Sequence, residues 1–214
     1  MADLKEISLN EVEGFKQFSL KFFNGEIPKL KYNQFIKDLG IYLDKEQKSF
    51  MIKLKASSGI LSRPQLHTIY QMASKNKLNH INFTTKQTIK LHGLSLDGIC
   101  AILQKGIENN IFTKSKDGIL KLNNQSIESF SNDFKLSEIN PRLFKQNELY
   151  AVYIHLNEGV FPLKNLKSLL YSIDKCKNPY IKLSTPEGFY ILNLNENEAN
   201  KLLTISENTK HNNQ

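Results

Sequence analysis

The sequence predicts an α+β fold in which two similar halves pack about a pseudo-twofold axis into one mixed or antiparallel sheet with helices on one face. Three observations predict it. The segment Phe50–Gly59 aligns with Tyr150–Gly159, strand on strand and glycine on glycine, at an offset of 100 residues and without a gap. The order of elements recurs too: strand, glycine turn, helix, short strand, second strand, helix. The chain of 214 residues is 40% hydrophobic and 23% charged, enough for an ordinary core and unlike a disordered composition. Each half leaves an apolar sheet edge and face that its twin can cover.

Residues 1–45 read as a wrapping segment. Phe15, Phe18, Leu20, Phe22 and Phe23 cluster before a break at Gly25-Glu26-Ile27-Pro28, and Tyr32, Phe35, Ile36 and Leu39 keep helical spacing until Gly40. Residues 46–113 form the first half. There Met51, Lys53 and Lys55 alternate with Ile52 and Leu54, as in a half-buried strand, and Pro64 opens a helix whose face is Leu66, Ile69, Tyr70 and Ala73. Residues 114–146 are a polar linker with one short strand, Ile119–Leu122. Residues 147–206 form the second half. Ile60-Leu61, Leu66, Leu91, Leu94 and Leu103 meet Val160-Phe161, Leu166, Ile191, Leu194 and Leu203 there. Residues 207–214 are expected to be a disordered tail.

The charge balance is 29 basic against 21 acidic residues, and only Arg63 and Arg142 are arginines. A lysine-rich excess of this kind is either a dispersed solvated coat or a site for a polyanion, and composition leaves both open. The two cysteines are too few for a zinc ribbon or a cysteine-ligated iron–sulfur cluster. Cys100 falls in a helical apolar run as a small core residue, whereas Cys176, between Lys175 and Lys177, is expected to be exposed with a lowered pKa. His67, His80, His155 and His211 lack metal-ligand spacing. The chain has no Ser-His-Asp pattern and no glycine-rich phosphate loop. Without a membrane-spanning run or a signal-peptide pattern at Met1–Glu6, the expected location is the cytoplasm.

The stretch Gly40-Ile41-Tyr42, the strand Phe50–Lys55, Gly59 with its following helix, and above all Ile81-Asn82-Phe83-Thr84-Thr85-Lys86-Gln87-Thr88-Ile89-Lys90-Leu91-His92-Gly93-Leu94 carry a resemblance. The chain resembles the ferredoxin-like half-domains of siroheme-dependent nitrite and sulfite reductases over roughly residues 40 to 205, more loosely in the second copy. The resemblance implies an α+β pair of ferredoxin-like half-domains and a surface for siroheme, a tetrapyrrole with eight carboxylates. By motif position Lys55, Lys86, Gln87, Lys90 and His92 would face that macrocycle, and Lys53 joins them because it alternates onto the side of Lys55.

The chain departs from the family in three respects. Lysine stands at Lys53, Lys55 and Lys86 where the family has arginine, which keeps the charge and loses the bidentate fork. The second copy carries Glu187 in its matching turn, a carboxylate where the family has an amide. The halves follow each other directly, without the cofactor-bearing domains and the four cysteines of a [4Fe–4S] cluster. The resemblance therefore implies a protein of the oxidoreductase superfamily reduced to its half-domains. It would ligate no cluster and would not catalyse alone, serving as an accessory or remnant subunit that binds siroheme, a related tetrapyrrole or a partner reductase. The alternative is a basic nucleic-acid-binding or protein-interaction module without a redox role. Nucleic acid is disfavoured because Phe83 stands alone among the first-copy strands.

Overall fold

A computed structural model of the chain describes residues 8–44, 49–84, 86–108, 111–114, 120–122, 137–185 and 187–211. It opens with a helical hairpin, α1 (Leu9–Phe23) and α2 (Lys29–Asp38). Ser8 starts α1 through a capping box with Glu11, which satisfies two N–H groups that the first turn would leave bare. Gly25, at φ +78°, turns the chain back. The aromatic pattern then locks the hairpin. Phe22 stacks on Tyr32 at 4.1 Å and Phe18 packs on Phe35 at 4.6 Å, while Phe15 sets its edge against Phe50 of the sheet at 5.8 Å. The Ser19 hydroxyl donates to the Phe15 carbonyl at 2.7 Å, which leaves its oxygen to accept from the fully buried Tyr32 hydroxyl at 2.6 Å.

The first half comprises β1 (Ile41–Leu43), β2 (Phe50–Lys55), β3 (Ile60–Ser62), α3 (Arg63–Lys75), β4 (His80–Phe83), β5 (Thr88–Leu94) and α4 (Leu96–Glu108). Two short strands follow, β6 (Phe112–Lys114) and β7 (Leu120–Leu122), and then a hairpin of β8 (Ser137–Asn140) and β9 (Leu143–Gln146). The second half is β10 (Leu149–His155), β11 (Val160–Pro162), α5 (Leu163–Ile173), β12 (Tyr180–Thr185), β13 (Gly188–Leu194) and α6 (Glu196–His211). α6 thus runs on through residues 207–211, where a disordered tail is expected from the sequence. The expected linker supplies strands as well: β7 lies parallel to β2, β6 pairs with β7, and the β8–β9 hairpin adds to β10. Residues 115–119 and 123–136 of it lie outside the described residues.

The internal repeat is visible in the register. On β2 and β5 the partners are Phe50 with Leu94, Ile52 with Leu91, Lys53 with Lys90, Leu54 with Ile89 and Lys55 with Thr88. On β10 and β13 the same list recurs 100 residues later: Tyr150 with Leu194, Val152 with Ile191, Tyr153 with Tyr190, Ile154 with Phe189 and His155 with Gly188. Even the bulge falls in the same place. The turn after each first strand also matches, with left-handed Ser58 and Gly59 in one copy and left-handed Glu158 and Gly159 in the other.

One expectation is corrected. The strands form two hydrogen-bonded sheets rather than one, ordered β11-β4-β5-β2-β7-β6 (with β1 also on β2) and β3-β12-β13-β10-β9-β8. The left-handed turns are the reason. Each redirects the chain out of its own sheet, so β3 of the first half pairs with β12 of the second, and β11 of the second pairs with β4 of the first. The exchange is reciprocal: Ile60 meets Lys182, and Val160 meets Asn82. The buried faces of both sheets and of the helices share one core that runs from Phe50, Ile52 and Leu54 through Ile69 and Ile102 to Leu166 and Ile181. Full burial of such a side chain contributes about 1.5–3 kcal/mol, so the core dominates what holds the halves together. Beside the pseudo-axis α3 packs on α5, where His67 Nε2 lies 2.8 Å from Asp174 Oδ1 and the Arg63 guanidinium donates to the Cys176 carbonyl at 3.1 Å.

Candidate functional site

The faces of β2 and β5 that turn away from the core hold most of the residues expected from the sequence. On β2 the buried Phe50, Ile52 and Leu54 alternate with half-buried Met51, Lys53 and Lys55. β5 presents Lys90 as the direct cross-strand partner of Lys53, and Asn82 of β4 is the partner of Lys90 on its other side. A bulge sets His92 and Gly93 against Met51, with Gly93 at φ +73°, and leaves His92 exposed. The loop from Thr84 to Thr88 is tied by their hydroxyls at 2.6 Å and by Gln87 N donating to Thr84 O at 3.0 Å, and it holds Lys86 in solvent.

Gln87 behaves differently from the others. Its backbone is left-handed at φ +55°, and its side chain lies over Gly59, so that a Cβ at Gly59 would come within 2.5 Å of Gln87 Cδ. Lys53, Lys55, Lys90 and His92 therefore share one open face, Lys86 stands at its rim, and Gln87 closes the turn beside it. Asn82 and Tyr42 escape a motif-based reading. Period-2 alternation along β4, with Ile81 and Phe83 buried, is the signal that finds Asn82. Tyr42 places its ring 3.9 Å from Lys53 Nζ, a cation–π contact that no linear pattern shows.

The face is electropositive in a way that perturbs its own groups. The Lys53 ammonium is held below the ordinary lysine range, first by partial burial and then by Lys90, Lys86 and Lys37. His92 is likewise lowered, first because part of its ring is withdrawn from water and then by Lys90, His80 and Lys53. Like charges directly opposite on a sheet destabilise it, so the arrangement costs the fold something when nothing is bound. Among the described residues no ion pair joins Lys53, Lys55, Lys86 or Lys90 to a carboxylate. The second copy does not repeat the charge. At the equivalent positions Tyr153 and Tyr190 pack at 4.9 Å, Phe144 adds its edge at 5.4 Å, and Lys182 spends its ammonium on the Ser58 carbonyl at 2.7 Å.

The cysteines stand apart from this face. Cys176 corrects the expectation of an exposed, acidified thiol: it is buried, with its sulfur 3.5 Å from the Ser172 carbonyl, and burial followed by Glu198 pushes its pKa up to about 11. Cys100, on α4, is half-buried and also raised, first by burial. Among the described residues no group of three His, Cys, Asp or Glu side chains is placed to hold a metal ion. Nor, among them, is any helix long and apolar enough to cross a membrane.

Two half-domains that exchange strands about a pseudo-axis, one of them with a cationic sheet face, define an α+β module of the ferredoxin-like kind. Residues 42–108 match the family of the nitrite/sulfite reductase ferredoxin-like half domain, a likeness that covers the first half-domain. The fold as a whole is similar to the structure of the Mycobacterium tuberculosis NirA protein, with a TM-score of 0.57 at 10% identity over 92% of this chain and 69% of that one. No curated protein matches the sequence. The chemistry of the donor set fits the acidic periphery of a siroheme-like group, because ammonium groups and an amide converge on one face. Among the described residues no cysteine and no metal-binding group lies on that face.

Proposed function

We propose that the outer face of β2 and β5 binds a carboxylate-rich tetrapyrrole, siroheme or a close relative, alone or as carried by a partner reductase, and that the chain serves such a reductase as an accessory subunit. The observation that carries this reading is the Lys53–Lys90 cross-strand pair, half-buried and without a carboxylate partner among the described residues. A surface coat spreads like charges apart; this fold sets them opposite each other, which an anionic guest would offset. Siroheme when bound would supply the electron-transfer chemistry. The protein's own part would be to hold the rim carboxylates with Lys53, Lys55, Lys90 and Lys86, and to offer Asn82 and His92 as neutral hydrogen-bonding groups between the ammonium groups.

The test is an absorption titration with uroporphyrin I, which carries eight carboxylates, as probe. The expected result is a shift of the Soret band in the wild type, together with binding weakened roughly a hundredfold in Lys53→Gln/Lys90→Gln, which removes two charge-assisted contacts of about 1.5 kcal/mol each. An unmoved Soret band at high protein concentration would dispose of the reading. A second reading rests on a different observation, the Tyr153–Tyr190–Phe144 cluster on the outer face of the second sheet. Aromatic rings on central strands of a basic protein suit stacked bases of single-stranded RNA, and steeply salt-dependent RNA binding that Tyr190→Ala abolishes would favour it.

A further inference from the structure

The lysine face has a second chemical capacity, which does not depend on a tetrapyrrole. Lys53 sits in cationic company. On its own sheet it faces Lys90 directly across β5, and the charges of Lys86 in the β4–β5 loop and Lys37 on α2 add to the positive field around it. The charges that act on it from these elements are all positive. It is half-buried, and the ring of Tyr42 lies 3.9 Å from its ammonium, which favours the charged form and holds the side chain in place. A lysine among cations, with part of its surface withdrawn from water, holds its proton less tightly and offers more of the nucleophilic amine than a solvated lysine does. Lys90 and Lys86 would at the same time attract an anionic reactant to the same spot.

We propose that Lys53 is a reactive amine that condenses with small anionic aldehydes held by Lys90 and Lys86. The uncharged nitrogen attacks the carbonyl carbon, a C–N bond forms, and the carbonyl π pair moves to oxygen. A proton passes from nitrogen to that oxygen to give the carbinolamine, and loss of water leaves the imine. No electron is gained or lost. The class of reactant is fixed by the site: an aldehyde carbon within reach of Lys53 and a phosphate or carboxylate for its neighbours.

The experiment uses the full chain with pyridoxal 5′-phosphate as probe, trapping with borohydride, and peptide mapping of the labelled lysines. Lys53 should be labelled several-fold faster than the median of the 27 lysines. Its labelling should begin at lower pH than theirs, and unphosphorylated pyridoxal should show much less preference. Lys90→Gln, which removes one repelling charge and one anion contact, should cut the preference, while Lys53→Arg should remove the fast product and leave the slow ones. Even labelling across the lysines, or a pH profile for Lys53 that coincides with the rest, overturns the proposal. Because pyridoxal phosphate is not a tetrapyrrole, the result is independent of whether uroporphyrin binds.

Discussion

Gly59 lies directly beneath the side chain of Gln87, close enough that a Cβ on the glycine would meet Cδ, Oε1 and Nε2 of the amide at 2.5 to 2.8 Å. Both residues are left-handed, Gly59 at φ +69° and Gln87 at φ +55°, so two left-handed turns brace each other at the point where the chain leaves the first sheet, and the backbone strain falls on Gln87. Gly59→Ala should therefore cost about 1–3 kcal/mol, from backbone strain and from displacement of the amide. In urea unfolding, Gly59→Ala/Gln87→Ala should recover the steric part and not the backbone part. Loss of stability no greater than that of an ordinary surface substitution would refute the bracing.

The hydroxyl of Tyr32 is a pH reporter for the N-terminal hairpin. Burial, partly offset by the hydrogen bond with Ser19, raises its pKa to about 12. The folded state then binds the phenolic proton more tightly than the unfolded state, whose pKa is about 10. The associated stability is complete below pH 10 and is lost as pH rises through 12. Since one pKa unit corresponds to about 1.4 kcal/mol, this contribution is on the order of 2–3 kcal/mol. Denaturation midpoints of wild type and Tyr32→Phe should converge across that window, and parallel curves would contradict it.

His92 should report the occupancy of the lysine face. In the free protein the partial desolvation of its ring, Lys90, His80 and Lys53 all disfavour its imidazolium. The folded state thus binds fewer protons than the unfolded state below the ordinary histidine pKa, and this group alone lowers stability as pH falls. By NMR titration Lys90→Gln should move the His92 pKa upward, and so should a bound polycarboxylate. An unchanged titration in Lys90→Gln would show that Lys90 does not act on His92.

The strand exchange predicts that the halves are not separable. Residues 1–122 expressed alone lack β11, the partner of β4, and leave β3 without β12. The fragment also exposes the core face that Leu166 and Ile181 cover. Its circular dichroism and amide NMR dispersion should show a loosely packed chain. A well-dispersed spectrum would mean that each half folds by itself.

Much of this architecture could be read from the residues. Period-2 alternation placed Lys53 and Lys55 on one side of β2, and the offset of 100 residues aligned strands whose registers then coincide pair by pair. The exchange of β3 and β11 could not be read, because a three-residue strand has no pattern that says which sheet it joins. The backbone handedness of Ser58 and Gly59 decides that. Lys37 escaped for a related reason: its influence on Lys53 depends on how α2 packs, which local periodicity does not encode. The lysines flanking Cys176 misled, since chain neighbours point outward while the thiol turns toward the Ser172 carbonyl at the end of α5.

Two identical short polypeptides that traded β3 for β11 would build the same set of pairs as a homodimer. Tethering them in one chain makes assembly unimolecular, so the unfolding midpoint should not vary with protein concentration. It also frees the twins from each other. In a homodimer one gene writes both surfaces, whereas here Lys53 and Lys90 persist on one while Tyr153 and Tyr190 occupy the other. Fusion is what allows such a molecule to be symmetric in its backbone and lopsided in its chemistry.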